Sequence, residues 1–189
     1  MLARTALATH GDMEEEYKIE DAKPEDTKTV RSIARSFWIE LYPNEKYGIT
    51  KEDLEGIDWF NPERLAKRAD EIQNKTDTMR TWVLKNKKGE IIGFSMAFKT
   101  EDYGELDAMF VNKEYQGKGL GKKLMQKACD WIGSDLDIKL KVVAYNTHAI
   151  EFYKKNGFEE TDAKVVYEGT VLPSGIEIPR IEMLRKKSI

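Results

Sequence analysis

Three glycines lie within five residues in the second half of the chain, in the segment EYQGKGLGKKLMQKA at residues 114–128. Gly117, Gly119 and Gly121 run directly into a helical pattern, although a glycine costs about 1 kcal/mol relative to alanine within a helix. Glycine allows a ligand to approach the main chain closely, and the unpaired N–H groups at the start of a helix attract anions. The segment therefore predicts a binding site for a phosphate or a similar anion.

Two common phosphate-binding motifs do not match the spacing of these glycines. A P-loop, GxxxxGK[ST], requires serine or threonine where Lys123 follows Lys122, and Gly117 stands one position too late for its first glycine. A dinucleotide-binding fingerprint, GxGxxG, requires glycine where Lys122 stands. A flexible turn surrounded by solvated lysines is the alternative that the loop on its own leaves open.

Hydrophobic patterns place this glycine loop between a strand and a helix of an α/β chain. The predicted order is β-α-α-β-β-β-α-β-α-β-β, with residues 42–60 irregular and with turns at 86–89 and 173–175. The predicted strands cover residues 16–22, 78–86, 90–98, 104–111, 137–145, 165–170 and 176–184, and the predicted helices cover residues 24–41, 62–74, 120–132 and 147–156.

Length and composition favour a single domain in a reducing compartment. The 189 residues carry a formal net charge of −3, so no basic surplus indicates nucleic acid. The single Cys129 excludes an intramolecular disulfide and fits the cytoplasm, and the apolar runs are too short to cross a bilayer. Two histidines without clustered ligands predict no metal site. We expect residues 1–12 to be a disordered or vector-derived tail and residues 13–189 to form one domain.

Two segments in the second half of the chain resemble the cofactor motifs of the GNAT superfamily of acyl-CoA-dependent N-acyltransferases. QGKGLG, at residues 116–121, fits the signature Q/R-x-x-G-x-G/A, and the preceding LDAMFVNKEY resembles the central strand of that family. YNTHAIEFYKKNGFEE, at residues 145–160, resembles N-x-x-A-x-x-F-Y-x-x-x-G-F. The resemblance covers about residues 16–186 and implies a mixed, mostly antiparallel α/β (α+β) fold. Helices would flank its central sheet, and two strands would splay apart around the cofactor.

The resemblance implies acetyl-CoA as the co-substrate and assigns its contacts. The amides of the glycine loop would bind the pyrophosphate, the preceding strand would bind the pantetheine arm, and Asn146 would lie where the next strand diverges. Lys155 would reach a phosphate, although a solvated helix lysine is an equal alternative. The assigned residues are Met109, Phe110, Val111, Gln116, Gly117, Lys118, Gly119, Leu120, Gly121, Lys122, Asn146 and Lys155.

Acetylation of an amine requires a base and an acid. A lysine-like amine, with a pKa of about 10.4, needs about 4.6 kcal/mol to lose its proton at pH 7. Strand alternation puts Glu105 and Asp107 on one face, and the resemblance implies Glu105 as the base; Asp107 or water is an alternative, as is a solvent-facing acidic pair. Tyr153 occupies the position of the family's general acid, with a core aromatic residue beside Phe152 as its alternative.

The function implied by the resemblance is direct transfer of an acetyl group from acetyl-CoA to a primary amine. A non-catalytic coenzyme A sensor or interaction module is the alternative, and a homodimer remains open. A weaker resemblance to bacterial polyamine acetyltransferases directs attention to an acidic, aromatic segment that could receive a cationic amine, or that is simply a solvated loop. This segment contains Tyr47, Glu52, Asp53, Glu55, Asp58, Trp59 and Phe60.

Overall fold

The computed structural model of the chain describes residues 16–74, 76–162, 165–167 and 170–187. The predicted tail at residues 1–12 lies outside these residues. Among them, the strands are β1 (Tyr17–Asp21), β2 (Met79–Asn86), β3 (Ile91–Lys99), β4 (Tyr103–Val111), β5 (Asp137–Val143), β6 (Glu159–Glu160) and β7 (Arg180–Arg185). The helices are α1 (Thr27–Leu41), α2 (Lys51–Glu55), α3 (Pro62–Asn74), α4 (Leu120–Ile132) and α5 (Thr147–Lys154).

The strands form one mixed sheet in the order β1-β2-β3-β4-β5-β7-β6. Neighbouring strands are antiparallel except for β4 and β5, which are parallel. These two strands pair only from Tyr103 with Asp137 to Glu105 with Lys139, and the rest of each strand is unpaired along this seam. We call the space between residues 106–111 of β4 and 140–143 of β5 the β4–β5 cleft. The predicted sheet with two splayed strands is therefore confirmed.

Helices cover the two faces of the sheet because each presents one apolar side. In α4 the apolar residues recur at spacings of three or four, which places them on a single helix face. This face packs with α5 on one side of the sheet, and the core there contains Leu120, Leu124, Met125, Ala128, Ile132, Ile150 and Phe158. On the opposite side, α1 and α3 cover a second core that contains Ile33, Ala34, Ile72, Val83 and Phe94.

A β-bulge in β4 changes the direction of its side chains at Asp107. Met96 of β3 pairs with Ala108, whereas the next residue, Ala97, pairs with Leu106, so Asp107 is an extra residue on β4. Leu106 packs in the core beneath α4, and Ala108 packs on the opposite side near α1. The strict alternation expected along this strand is therefore interrupted at Asp107.

Two segments differ from the sequence-based expectation. Residues 42–60 are not wholly irregular, since they contain a 3₁₀ turn at Glu45–Tyr47 and the short helix α2, which is capped by Thr50. In the described part of residues 165–170, the predicted strand is reduced to one isolated bridge between Val166 and Arg180.

The last strand begins at Arg180 instead of residue 176. Pro179 precedes it, and proline cannot donate to a strand ladder. The turn at residues 173–175 is confirmed, because the Leu172 amide donates to the Ile176 carbonyl at 2.9 Å. The two-residue strand β6 was not predicted. No helix within the described ranges is long and apolar enough to span a membrane.

Candidate active site

The glycine loop joins β4 to α4 and presents a row of unpaired amides. Gly117 and Gly119 have φ angles of 77° and 75°, and a Cβ atom on either would meet no atom within 4 Å. The Lys123 amide donates to the Gly119 carbonyl at 3.1 Å, which starts the hydrogen bonding of α4. The six amides from Gly117 to Lys122 precede this bond, and no described residue accepts a hydrogen bond from them. The loop thus has the open backbone geometry of an anion site.

Two exposed side chains of the loop tie it to neighbouring strands. The Gln116 amide nitrogen donates to the Val111 carbonyl at 2.8 Å, which ties the loop to the end of β4. The Lys118 ammonium donates to the Tyr17 hydroxyl at 2.8 Å and lies 5.4 Å from the centroid of that ring. Lys118 is therefore engaged with β1 although, like Lys122, it is exposed.

Gly121 and Leu120 set the position of the first turn of α4. Leu120 is 2% exposed and belongs to the core beneath the helix. Gly121 faces the Phe152 ring of α5, and a Cβ atom at this position would lie 3.7 Å from that ring, an ordinary van der Waals contact. The loop is consequently anchored at both ends, by Gln116 before it and by Leu120 after it.

The end of β4 offers an unpaired strand edge beside this loop. Met109, Phe110 and Val111 pair with β3 on one side. On the other side, β5 has already diverged after Glu105. The backbone groups on that side are available to an extended ligand, which could add to β4 as a further strand.

Asn146 and Lys155 lie at opposite ends of α5. Asn146 caps the helix, since its side-chain oxygen accepts a hydrogen bond from the Ala149 amide at 3.2 Å. Lys155 is exposed just after the last turn. Nine residues of helix span about 13 Å, so the structure does not bring these two predicted cofactor residues together.

Tyr153 lies inside the core at the C-terminal half of α5. Its side chain is 9% exposed, and its ring centroid lies 5.4 Å from that of Phe152 and 5.7 Å from that of Phe158. Burial raises the pKa of the Tyr153 hydroxyl well above its ordinary value. The phenol therefore remains protonated at neutral pH and can act as a hydrogen-bond donor.

The two acidic residues of β4 have raised pKa values. Burial is the larger cause for Glu105, and the negative charge of Asp107 raises the pKa of Glu105 further. The side chain of Asp107 is accessible to solvent, yet desolvation by the surrounding protein raises its pKa, against the opposing effect of the nearby cations Arg68, Arg180 and Lys141. Because a base is most effective when its pKa lies near the working pH, both shifts favour proton transfer.

A group of residues that the sequence did not single out lies close to these acids. The guanidinium of Arg180, at the start of β7, is 5.8 Å from the ring centroid of Trp38 in α1. Trp38 packs against Tyr42, and the Tyr145 hydroxyl donates to the Tyr42 carbonyl at 2.6 Å. Burial raises the pKa of Tyr42 to about 12. No local motif marks these residues, since distant parts of the chain bring them together.

Residues 27–158 match the family model described as the acetyltransferase (GNAT) family. The chain belongs to the GNAT family. This assignment agrees with the glycine loop after β4, with the cleft between β4 and β5, and with the motif that runs through α5. No group of three metal-ligating side chains occurs in the described part of this GNAT domain.

Similar proteins include acetyltransferases of different acceptor classes. The chain is 34% identical over 83 residues to a probable spermine N(1)-acetyltransferase of Bacillus subtilis subsp. natto, covering 38% of this chain and 55% of the relative. It is 32% identical over 80 residues to the peptidyl-lysine N-acetyltransferase YjaB of Salmonella typhimurium, covering 42% and 50%. The chain thus spans about half the length of the curated relatives that it matches.

A solved structure supports the same fold over nearly the whole chain. The PaiA N-acetyltransferase of Thermoplasma acidophilum, in complex with coenzyme A, has a TM-score of 0.67 and 22% identity. The match covers 90% of this chain and 98% of that protein. At this identity the likeness concerns the fold alone.

Within this GNAT domain, the acidic, aromatic segment at residues 47–60 is mostly exposed, but two of its members, Asp53 and Trp59, make internal contacts. Trp59 is 4% exposed, its indole N–H donates to the Leu54 carbonyl at 2.7 Å, and the Arg31 guanidinium lies 5.1 Å from its ring centroid. Asp53 accepts a hydrogen bond from the Ser174 amide at 3.0 Å. The sequence left open whether Trp59 offers an aromatic surface to a cationic amine. It does not, because its ring is core and is already in contact with a cation.

Proposed function

We propose that this protein transfers an acetyl group from acetyl-CoA directly to a primary amine. The observation that carries the proposal is the juxtaposition of the six unpaired amides at residues 117–122 with the unpaired edge of β4. Coenzyme A combines a pyrophosphate with an extended pantetheine arm that contains amide groups. The loop suits the first part and the strand edge suits the second, and both are joined by the bond from Gln116 to Val111.

The loop amides would provide most of the affinity for the pyrophosphate. Hydrogen bonds to a charged group contribute roughly 1.5–3 kcal/mol each, whereas a charge near a helix end contributes about 0.3–1 kcal/mol. Lys118 is held by Tyr17 and would add little. Met109, Phe110 and Val111 would offer their backbone to the pantetheine arm, and Asn146 and Lys155 are weaker candidates for cofactor contact.

The reaction would take place where β4 and β5 begin to diverge. Glu105, Asp107 or a water molecule would accept the proton of the amine, whose nitrogen would then attack the thioester carbon. The C–N bond forms, the C–S bond breaks, and the sulfur leaves as a thiolate that receives a proton from Tyr153. A free phenol has a pKa of about 10 and a thiol about 8.5, so this transfer is already uphill by about 2 kcal/mol. Burial raises the pKa of Tyr153 and increases this cost, so Tyr153 must lie close to the sulfur.

The similar proteins suggest two classes of acceptor, polyamines and the side-chain amines of peptidyl-lysine. We further propose that residues 13–189 act as one domain in the cytoplasm, with acetyl-CoA and an amine as partners and without nucleic acid or a membrane. The net charge of −3 supports the absence of nucleic acid. The homodimer stays an open proposal that sedimentation would test.

An acetylation screen tests the proposed function. The protein would be incubated with acetyl-CoA and with polyamines, lysine peptides, peptides with free N-termini and amine-bearing antibiotics, while free thiol is measured and the products are identified by mass spectrometry. We expect thiol release that depends on at least one amine. Acetyl-CoA binding without thiol release from any amine would instead support the non-catalytic sensor.

A further inference from the structure

The sheet carries a face of mixed charge across β4, β5 and β7. On β5, Ile138, Leu140 and Val142 are buried beneath α4 and α5, so the alternate residues point to the opposite face. The register of these strands then places two pairs of oppositely charged residues side by side and puts Arg180 beside the last residue of β5. Glu105 pairs with Lys139, Lys141 pairs with Glu182, and Val143 pairs with Arg180.

The guanidinium of Arg180 lies beside an aromatic ring. Its guanidinium lies 5.8 Å from the ring centroid of Trp38, and Trp38 is fixed in turn by an edge contact with Trp59 at 5.2 Å. A cation–π contact of this kind uses none of the N–H donors of the guanidinium, which can still bind a carboxylate or phosphate in a bidentate manner. No carboxylate of the described residues forms an ion pair with Arg180.

Arg180 also lies next to the proposed reaction centre. It is near enough to Asp107 and to Tyr42 to influence the ionisation of both. Tyr42 in turn influences Tyr153. By the strand register, Arg180 lies on the same face of the sheet as Glu105, on the side that α1 covers with Trp38. An acceptor whose amine reaches Asp107 would place its neighbouring atoms near Arg180.

We propose that the acceptor amine carries an anionic group, a carboxylate or a phosphate, and that Arg180 binds this group while the amine lies against Glu105 and Asp107. The proposal rests on the proposed function and names the substrate class of the same site. The mixed charges of the sheet face match a substrate with one positive and one negative end. A purely cationic acceptor would leave the Arg180 guanidinium without a partner.

A cluster of arginines makes the same region unfavourable for a polyamine. Burial, together with the positive charges of Arg64 and Arg68, lowers the pKa of Arg31. Arg68 also lies 6.0 Å from the ring centroid of Phe98, the β3 residue that pairs with Glu105. Its charge therefore extends to the acidic end of β4. Arg68 is paired with Glu71 at 3.2 Å, but the positive charges of Arg31 and Arg180 still disfavour a multiply charged cation relative to an amine that also carries an anionic group.

Matched pairs of acceptors test this inference. The initial rates with acetyl-CoA would be compared for 4-aminobutyrate and its amide, for O-phosphoethanolamine and ethanolamine, and for spermidine. We expect kcat/KM to be about 10- to 100-fold higher for the anionic member of a pair, the range of one charge-assisted contact. The first pair reports a carboxylate and the second a phosphate, so the two sources of the anion are distinguished.

Variants of Arg180 connect the preference to this residue. Arg180→Gln should lower kcat/KM for the anionic amine about 10- to 100-fold more than for its uncharged counterpart. Arg180→Lys should recover part of the preference, because it keeps the charge without the planar fork. Arg80→Gln is the matched control, since Arg80 lies 5.9 Å from the ring centroid of Trp131 on the opposite face of the sheet.

Three outcomes would count against the inference or against the function beneath it. A wild-type preference for spermidine or for the uncharged amines would overturn the anion site and leave the acetyltransferase function intact. An equal loss for both members of a pair in Arg180→Gln would make Arg180 a structural residue. No turnover with any amine would contradict the proposed function. In that case, calorimetry would test the anion site by measuring the binding of 4-aminobutyrate and O-phosphoethanolamine in the presence of acetyl-CoA. Equal binding by wild type and by Arg180→Gln would overturn the anion site.

Discussion

Replacement of Gly119 by valine should separate the loop amides from the lysines as the source of acetyl-CoA affinity. Gly119 has a φ of 75° and its Cβ position is open, so the cost of valine arises from the backbone and not from a clash. A left-handed conformation costs an L-residue roughly 1–2 kcal/mol, and a β-branched residue more. The loop can relieve this strain by rotating Gly119, which would redirect the amides of Gly119 and Leu120.

The expected loss follows from the number of hydrogen bonds that this rotation removes. One charge-assisted bond is worth roughly 1.5–3 kcal/mol, which corresponds to about 10- to 150-fold in Kd. We therefore expect Gly119→Val to weaken acetyl-CoA binding at least tenfold in calorimetry, and more than a hundredfold if both amides are lost. Lys118→Met should change Kd less than about fivefold, because the ammonium of Lys118 is already bound to Tyr17.

Gly89 supplies a matched control for the strain. It lies in the turn between β2 and β3 with a φ of 79°, and its Cβ position is equally open. Gly89→Val should lower the thermal midpoint to a similar extent as Gly119→Val while leaving the Kd for acetyl-CoA unchanged. The reasoning is refuted if Gly119→Val is destabilised like Gly89→Val and still binds acetyl-CoA with wild-type affinity.

Two further predictions concern the proton transfers. Tyr153→Phe keeps the buried ring and removes the hydroxyl, so kcat and kcat/KM should fall together by about 10²–10⁴-fold with acetyl-CoA affinity nearly unchanged. If steady-state turnover stays at the wild-type level, water and not Tyr153 protonates the thiolate. Burial and Asp107 raise the pKa of Glu105, and a base must be deprotonated to act. The kcat/KM of the wild type should therefore fall as the pH drops through a value above the usual glutamate range, and Glu105→Gln should remove this step from the pH profile. A retained step would point to Asp107.

The parts of the fold that depend on local patterns were predictable from the sequence. Each of these parts is marked by a hydrophobic periodicity or by residues that begin or end an element. They are the glycine loop, the strands β2 to β5 and the helices α1, α3, α4 and α5. The Q-x-x-G-x-G segment is local as well, which explains why its place between β4 and α4 is confirmed. Within this loop, the positive φ angles of Gly117 and Gly119 also follow from the choice of glycine.

The remaining features depend on contacts between distant residues. The bulge at Asp107 exists only in the pairing with Met96 and Ala97, which the sequence of β4 does not encode by itself. The late start of β7 follows from its pairing with β5 and from Pro179. Arg180 becomes part of the site because β7 returns beside β5 and faces Trp38 of α1, which is 142 positions earlier in the chain. Single-sequence patterns contain no information about such a meeting.

A single strand, β4, relates the proposed catalytic groups to the proposed cofactor site. Its first half carries Glu105 and Asp107, its second half offers the unpaired edge, and the loop that follows supplies the amides. The bulge at Asp107 lies at the boundary between the two halves, beside the point where β5 departs. Because the bond from Gln116 to Val111 fixes the loop to the end of the same strand, the distance from the pyrophosphate site to the acids is set by one rigid element. A change of acceptor would then require changes only in the residues around this strand, such as Arg180 and Arg68, and not in the cofactor site itself.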